Sequence, residues 1–181
     1  MSQFVINVMS QDRTGIVADV TRAIKNLDGN LEDMTQTVLR GYFTMILIAS
    51  FPESVDEPSL KANLASSTEL KGLEISVAPF VPTSSEIQAP NEDTMYILTS
   101  SGPDRTGLVC AVAEALRQKN INIVDLNTRS HGGNYNMMFL ISIPEGMDIG
   151  KLKRSLRVTS EVLGLNLELR HQALFRKTNE I

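Results

Sequence analysis

Short apolar segments alternate with polar ones along the chain, and the spacing of the apolar residues changes from place to place. Two compact apolar runs, Phe4–Met9 and Met95–Ser100, predict strands. After each run the apolar residues recur every three or four positions, which predicts a helix with one buried face. These residues are Ile16, Val20, Ile24 and Leu27 in the first half, and Leu108, Val112 and Leu116 in the second.

Each half continues with two segments that alternate apolar and polar residues and predict a β-hairpin. The predicted strands are Asn30–Leu39 and Tyr42–Phe51, then Asn122–His131 and Tyr135–Ile143. Gly41 and the pair Gly132 and Gly133 occupy the turns. A second helix and a last strand follow, marked by Leu60, Leu64, Leu70 and Leu73–Val77, or by Leu152, Leu156, Leu163 and Leu165–Leu169. Each half therefore has the order βαββαβ.

The two halves are copies of one another. Asp-Arg-Thr-Gly occurs at Asp12–Gly15 and again at Asp104–Gly107, and the same offset of 92 residues aligns 4–78 with 96–170 without a gap. A βαββαβ unit of this length folds as four antiparallel strands with both helices on one face, the ferredoxin-like arrangement. We predict an α+β protein with a first domain over 1–79, a Pro-rich linker over 80–93, a second domain over 94–175 and a C-terminal tail over 176–181.

The third strand of each copy is apolar on both faces. One face is predicted to pack on the helices, and it carries Phe43, Met45, Leu47 and Phe51, matched by Tyr135, Met137, Phe139 and Ile143. The opposite face carries Ile46 and Ile48, matched by Met138 and Leu140, where a solvated sheet has polar residues. We expect this second face to be covered by the other copy, by another chain or by the C-terminal tail, and we expect a homo-oligomer.

The composition argues against catalysis. Cys110 is the only cysteine among 181 residues, and His131 and His171 are the only histidines. These are too few to favour a disulfide, a catalytic triad or a metal cluster. We therefore expect no catalytic residue, no metal and no cofactor. No apolar run approaches the length of a membrane span, and the N-terminus lacks the basic and apolar regions of a secretion signal. A cytoplasmic location without a membrane partner is expected.

Charge is divided unequally between the copies. Residues 1–90 carry 6 basic and 11 acidic side chains, and residues 91–181 carry 11 basic and 10 acidic ones. The second helix of the second copy has a basic group that is either a solvated helix face or a docking surface for an acidic protein partner, formed by Lys151, Lys153, Arg154 and Arg157. Arg40-Gly41-Tyr42 is similar to the start of an RNA-binding strand, but the following residues break that pattern. The net charge is −4, and no direct nucleic-acid partner is expected.

A unit of this order that combines Asp-Arg-Thr-Gly with Asn-Leu-Glu-Asp or Asn-Ile-Val-Asp resembles the ACT domain family. The second motif lies at Asn30–Asp33 and Asn122–Asp125, where the second strand of each copy is predicted to begin. Two such units in tandem resemble the glycine cleavage system transcriptional repressor group. The resemblance implies regulatory domains that bind a small amino acid between the turn and a strand of a neighbouring unit. It also implies glycine as the ligand and a transcriptional activator as the protein partner.

The turn that carries Asp-Arg-Thr-Gly has the chemistry to receive an amino acid. The first N–H groups of a helix lack intrahelical partners and attract a carboxylate, and a glycine there lets a ligand approach the backbone. A free aspartate receives an ammonium group, and an asparagine offers both a donor and an acceptor. The candidate ligand-binding residues are Asp12, Arg13, Thr14, Gly15, Ile16, Asn30 and Asp33, with Asp104, Arg105, Thr106, Gly107, Leu108, Asn122 and Asp125 in the second copy.

Each of these residues also has a structural interpretation. The aspartates and threonines of the turns are common helix caps, the arginines can be solvated or ion-paired, and Asp33 and Asp125 can satisfy nearby backbone groups. The copies differ before the turn, Ser10-Gln11 against Gly102-Pro103, so their sites need not be equivalent. The leading hypothesis is a non-enzymatic regulator that senses a small amino acid and signals to a protein partner by a population shift. The alternative is an ACT-fold interaction module without ligand binding.

Overall fold

The computed structural model describes residues 1–82 and 91–173, and it contains two units of the same architecture. The first unit consists of β1 Ser2–Gln11, α1 Ile16–Asn26, β2 Asn30–Leu39, β3 Tyr42–Phe51, α2 Glu57–Ser66 and β4 Glu74–Pro79. The second unit follows a 3₁₀ turn at Glu92–Thr94 and consists of β5 Met95–Pro103, α3 Leu108–Arg117, β6 Asn122–His131, β7 Asn134–Ser142, α4 Ile149–Leu163 and β8 Asn166–His171. None of the helices in these two ranges is long and apolar enough to cross a membrane.

Each unit is one four-stranded antiparallel sheet with two helices. The strand order is β2-β3-β1-β4 in the first sheet and β6-β7-β5-β8 in the second. This order confirms the predicted α+β class with two ferredoxin-like units. The chain divides into two compact units, Met1–Ser84 and Ser85–Ile181. The exact domain boundaries, 1–79 and 94–175, stay predictions. Residues 83–90 of the predicted linker and the whole predicted tail lie outside the described residues.

Several elements differ in length from the prediction. β1 and β5 continue past their apolar runs to Gln11 and Pro103, because backbone pairing with β3 and β7 does not require apolar side chains. β4, β7 and β8 shift by one or two residues. α2 ends at Ser66, so the prediction that Leu70 lies on this helix is wrong. Ser66 is the last helical residue, and Ser67 and Thr68 follow it. The hydroxyls of these residues compete with the helix backbone for hydrogen bonds, although Leu70 is still buried in the next turn.

Two-residue turns close both hairpins. Arg40 and Gly41 have φ values of 50° and 85°, and Gly132 and Gly133 have values of 59° and 78°. Two successive residues with positive φ match the twist of the flanking strands, which is why glycine is favoured there. The turns predicted at these glycines are confirmed, and the left-handed Arg40 belongs to the turn rather than to an RNA-binding strand.

Each unit has its own hydrophobic core between the sheet and its helices. The predicted helix-facing residues of β3 are buried, and so are their counterparts in the second copy except the half-buried Tyr135. We call the face of each sheet that points away from its helices the open face. On this face Ile46 is 49% and Met138 is 41% exposed, while Ile48 and Leu140 are half-buried. Coverage of this face by another chain stays a prediction, and light scattering would contradict it by showing a monomer.

Candidate functional site

Each copy places its Asp-Arg-Thr-Gly motif in the turn between its first strand and its first helix. In the first copy the Asp12 N–H donates to the Gly41 carbonyl at 2.8 Å. In the second copy the Asp104 N–H donates to the Gly133 carbonyl at 2.9 Å. Each turn is therefore fixed against the tip of the hairpin in its own unit.

Glycine occupies the N-cap position of both helices. Gly15 precedes α1 with a φ of 94°, and Gly107 precedes α3 with a φ of 88°, a left-handed conformation that favours glycine. Neither helix has a side-chain cap. The interpretation of the turn aspartates and threonines as helix caps is therefore wrong, because the backbone path places glycine, not a polar side chain, at the cap.

The first N–H groups of both helices have no acceptor among the described residues. They belong to Ile16, Val17 and Ala18 in α1 and to Leu108, Val109 and Cys110 in α3. Such groups carry partial positive charge and point out of the helix end. The side chains of Ile16 and Leu108 are buried, so these two candidate residues offer a ligand only their backbone. Both turns can donate hydrogen bonds to an external carboxylate.

A carboxylate of the protein already lies beside the first turn. Asp19, in the first turn of α1, accepts from the Arg13 guanidinium at 2.8 Å, and Arg22 lies 3.7 Å from its other oxygen. Arg13 also donates to the Glu69 carbonyl at 3.1 Å. The pKa of the Glu69 carboxyl is lowered because its own backbone N–H and the Ser67 hydroxyl donate to it. The first turn therefore holds a carboxylate that is paired with two arginines, and Arg13 is ion-paired, as its structural interpretation predicts.

The second turn lacks this carboxylate. Ala111 stands where the first copy has Asp19. Arg105 donates to the Leu163 carbonyl at the end of α4 and has no carboxylate partner among the described residues. Apart from Gly107 and its two chain neighbours, no described residue has an atom within 4 Å of the position that a Cβ on Gly107 would take. The second turn is therefore the more open of the two to an anionic ligand.

Asp104 is also held in place at the second turn. Its Oδ2 accepts a hydrogen bond from the Ser130 hydroxyl at 2.9 Å, which ties the turn to β6. The first copy has Val38 at the position of Ser130, so Asp12 has no equivalent hydroxyl partner. The second turn thus combines free N–H donors for a carboxylate with a fixed carboxylate that can accept from an ammonium group.

The structure does not bring the strand residues of the predicted site to the turn of their own unit. Asn30 pairs with Ser50 of β3, whereas the turn follows Gln11, which pairs with Tyr42 at the other end of that strand. Eight strand residues separate these ends by roughly 26 Å. Asn122 has the equivalent position in the second sheet.

The two strand aspartates are likewise displaced from the turns, because they lie near the asparagine end of β2 and β6. The Asp33 carboxylate accepts from the N–H of Met34 at 2.7 Å, which supports its structural interpretation. Asp125 makes no such hydrogen bond within the described chain. Neither aspartate can contact a ligand held at the turn of its own unit.

The open face of the second sheet holds a cavity that the sequence pattern alone did not predict. Its volume is about 440 Å³, and its exposed lining consists of Ser101, Asn127, Arg129, Asn136, Met138 and Asn166, with the half-buried Thr99. The cavity on the open face of the first sheet is smaller, with a volume of about 110 Å³. The alternation along each strand could have assigned these polar residues to the open face. Only the register across the four strands shows that they lie side by side.

The predicted basic group is confirmed as a set of exposed side chains on α4. Arg157 lies 3.4 Å from Glu161, while Lys151, Lys153 and Arg154 have no ion pair in residues 1–82 and 91–173. Two exposed valines share the helix with them, Val158 at 61% and Val162 at 78% exposure. The exposed surface of α4 therefore combines positive charge with apolar area.

The histidines and the cysteine have no catalytic surroundings in the described chain. The His171 ring lies edge-on against Tyr96 with 4.9 Å between ring centres, and its Nε2 lies 3.3 Å from the Asp93 carbonyl. Cys110 is exposed at the start of α3. Among the described residues, no three His, Cys, Asp or Glu side chains gather as metal ligands.

Relatives of known sequence are about the length of one unit. A UPF0237 protein of Streptococcus mutans is 41% identical over 73 residues, which are 40% of this chain and 83% of that protein. A UPF0237 protein of Methanosarcina mazei is 35% identical over 77 residues, or 42% of this chain and 84% of that protein.

Two solved structures match both units together. An unknown protein from Galdieria sulphuraria aligns with a TM-score of 0.72 and 29% identity over 93% of this chain and 97% of that one. A proposed glycine cleavage system transcriptional repressor aligns with a TM-score of 0.67 and 17% identity over 93% and 96% of the two chains, a likeness of fold alone. The family model of the ACT domain matches residues 2–78 and again residues 94–170. The chain therefore belongs to the ACT domain family and carries two ACT domains, a regulatory fold, in tandem.

Proposed function

We propose that this protein is a non-enzymatic regulator that binds a small amino acid and passes the signal to a protein partner. The observation that carries the proposal is the second turn, where the α3 N–H groups are free of acceptors in the described chain and no carboxylate occupies the position of Asp19. The tandem ACT domains support a regulatory role. The presence of only one cysteine and two histidines in the sequence supports a non-enzymatic role.

The ligand lies at the second turn in this proposal. Its carboxylate accepts from the N–H groups of Leu108, Val109 and Cys110, where the helix dipole favours negative charge. Its ammonium group donates to Asp104, which Ser130 holds at the turn. The missing side chain of Gly107 lets the ligand approach the backbone. Glycine, which the resemblance to the repressor group implies, satisfies this chemistry without needing a side-chain pocket.

The second turn is connected to two elements that can transmit the signal. Arg105 donates to the Leu163 carbonyl at the C-terminal end of α4. Asp104 is tied through its backbone to Gly133 and through its side chain to Ser130. If α4 has two positions relative to the turn, a ligand that binds one of them more tightly increases the population of that position.

The partner surface is the basic group of α4, formed by Lys151, Lys153, Arg154 and Arg157. An acidic protein surface complements these cations, and the exposed valines add apolar area to the contact. The resemblance to the repressor group makes a transcriptional activator the first partner to test. A homo-oligomer is part of the proposal, because all ten residues of the edge strand β2 are exposed and its outer backbone edge is free to pair.

A calorimetric titration of the full chain with a panel of free amino acids tests the proposal. We expect saturable binding of glycine or another small amino acid and a raised Tm in its presence. No heat and no change in Tm with any amino acid would contradict the sensor. The ACT-fold interaction module without a ligand would then explain the exposed basic helix.

A further inference from the structure

The cavity on the open face of the second sheet is built by one row of residues that crosses all four strands. Arg129 of β6 pairs with Asn136 of β7, Asn136 pairs with Ser101 of β5, and Ser101 pairs with Asn166 of β8. The next row contains Asn127, Met138 and Thr99, and it ends at Glu168 of β8, which lies outside the cavity lining. Because residues opposite one another on a sheet point to the same face, these side chains converge on one concave surface.

The first copy provides an internal comparison for this row. The residues at the four matching positions are Thr37, Thr44, Met9 and Glu74. They include no cation and no carboxamide, and an acid replaces Asn166. The shared fold therefore does not require the polar row of the second sheet. Because the two copies share a fold but only the second has this polar row, the row indicates a function specific to the second unit.

The guanidinium in this cavity is not neutralised by the protein. The Arg129 side chain makes no hydrogen bond or ion pair within the described chain, and the same holds for the side chains of Asn127, Asn136 and Asn166. Arg170 lies two rows away on the same face and is paired with Glu168 at 2.8 Å. Glu168 is thus already engaged. The cavity offers one free cation, three free carboxamides and the exposed apolar side chain of Met138.

We propose that this cavity binds a small carboxylic acid that also carries a carboxamide or hydroxyl group, a class that includes the amide amino acids. Arg129 pairs with the carboxylate, since a guanidinium binds a carboxylate through two parallel hydrogen bonds. Asn127, Asn136 and Asn166 exchange hydrogen bonds with the second polar group. Met138 contacts the aliphatic part of the ligand. A volume of about 440 Å³ lies in the range of small-molecule sites and exceeds what glycine needs.

This site is separate from the proposed site at the turn. Successive residues of a strand point to opposite faces, so Arg129 and Ser130 face opposite sides of the sheet. Ser130 bonds to Asp104 on the helix side, and Arg129 lines the cavity on the open side. A variant at one site therefore leaves the other intact, and the two sites can be tested independently.

The test is an NMR titration of the full chain with L-glutamine, L-asparagine and L-malate as probes. We expect saturable shifts of the side-chain NH₂ signals of Asn127, Asn136 and Asn166 with at least one probe. The variant Arg129→Gln loses about tenfold or more of that affinity, because a hydrogen-bonded charge is removed. The control Arg117→Gln, on α3, keeps the affinity because Arg117 does not line the cavity and its guanidinium pairs with Glu114.

Two results would overturn the proposal. One is the absence of saturable shifts with all three probes at millimolar concentration. The other is equal affinity in the wild type and in Arg129→Gln. If the open face were instead an interface between copies of the chain, Arg129→Gln would change the sedimentation coefficient and the probes would give no shifts, which also contradicts the proposal.

Discussion

The N-termini of α1 and α3 have the same backbone but different electrostatics. At the first, the Asp19 carboxylate accepts from Arg13 at 2.8 Å and already balances the positive helix end. At the second, the matching residue is Ala111, and Arg105 is bonded to a backbone carbonyl. A ligand carboxylate would meet the Asp19 carboxylate in the first turn of α1 but the uncharged Ala111 at the matching position of α3. At this position the second copy is therefore the more favourable of the two for an anion.

This difference predicts the effect of moving the charge. Ala111→Asp should weaken amino acid binding by about tenfold or more, because a like charge in the first turn of the helix costs roughly 1–3 kcal/mol in a partly solvated site. Ala111→Asn has nearly the same shape without the charge and should bind almost as well as the wild type. Calorimetric titration of both variants checks this. Equal loss in the two variants would mean that size, not charge, controls the site.

The start of α2 shows how one element is stabilised through its cap. Asp56 and Ser59 form a capping box, in which the Asp56 carboxylate accepts from the Ser59 N–H at 2.9 Å. The pKa of Asp56 is lowered from its ordinary value of 3.8, because the Ser59 hydroxyl and backbone N–H favour the ionised carboxylate. A lowered folded pKa means that the contribution to stability is present above pH 3.8 and is lost as the pH falls through the folded value.

We therefore expect Asp56→Ala to have a lower Tm than the wild type at neutral pH, with a difference that shrinks in acid as the wild-type carboxylate becomes protonated. Thermal unfolding followed by circular dichroism at neutral pH and at about pH 3 measures both values. Glu53→Gln removes another exposed acid near α2, one that contacts the N-terminal amine, and should change the Tm little at either pH. A Tm difference for Asp56→Ala that is independent of pH would contradict this account of the cap.

The elements were predictable where side-chain pattern and backbone pairing agree. The alternation in 30–39, 42–51 and 122–131 matches β2, β3 and β6 residue for residue, because these strands begin and end at turn residues. The end of β1 was not predictable from polarity, since Ser10 and Gln11 pair through the backbone. Leu70 follows the helical spacing but lies beyond the end of α2.

At the scale of the whole molecule, duplication has produced two units with one fold and different surfaces. The first unit has an ion-paired carboxylate at its turn, while the second has an open turn, a polar cavity and the basic group of α4. The motif Asp-Arg-Thr-Gly correctly located both turns in the sequence. It could not show that glycine caps the helices, that Asn30 lies at the far end of its sheet, or that four strands bring Arg129 beside three asparagines. Those facts depend on backbone angles and register.

The most direct test of the central claim is an NMR titration of the full chain with glycine, followed at the backbone amides of the two turns. The account predicts saturable shifts at Leu108, Val109 and Cys110 and at most small shifts at the matching amides of Ile16, Val17 and Ala18. Shifts confined to the first turn, or no shift at either turn with glycine and with other small amino acids, would contradict it.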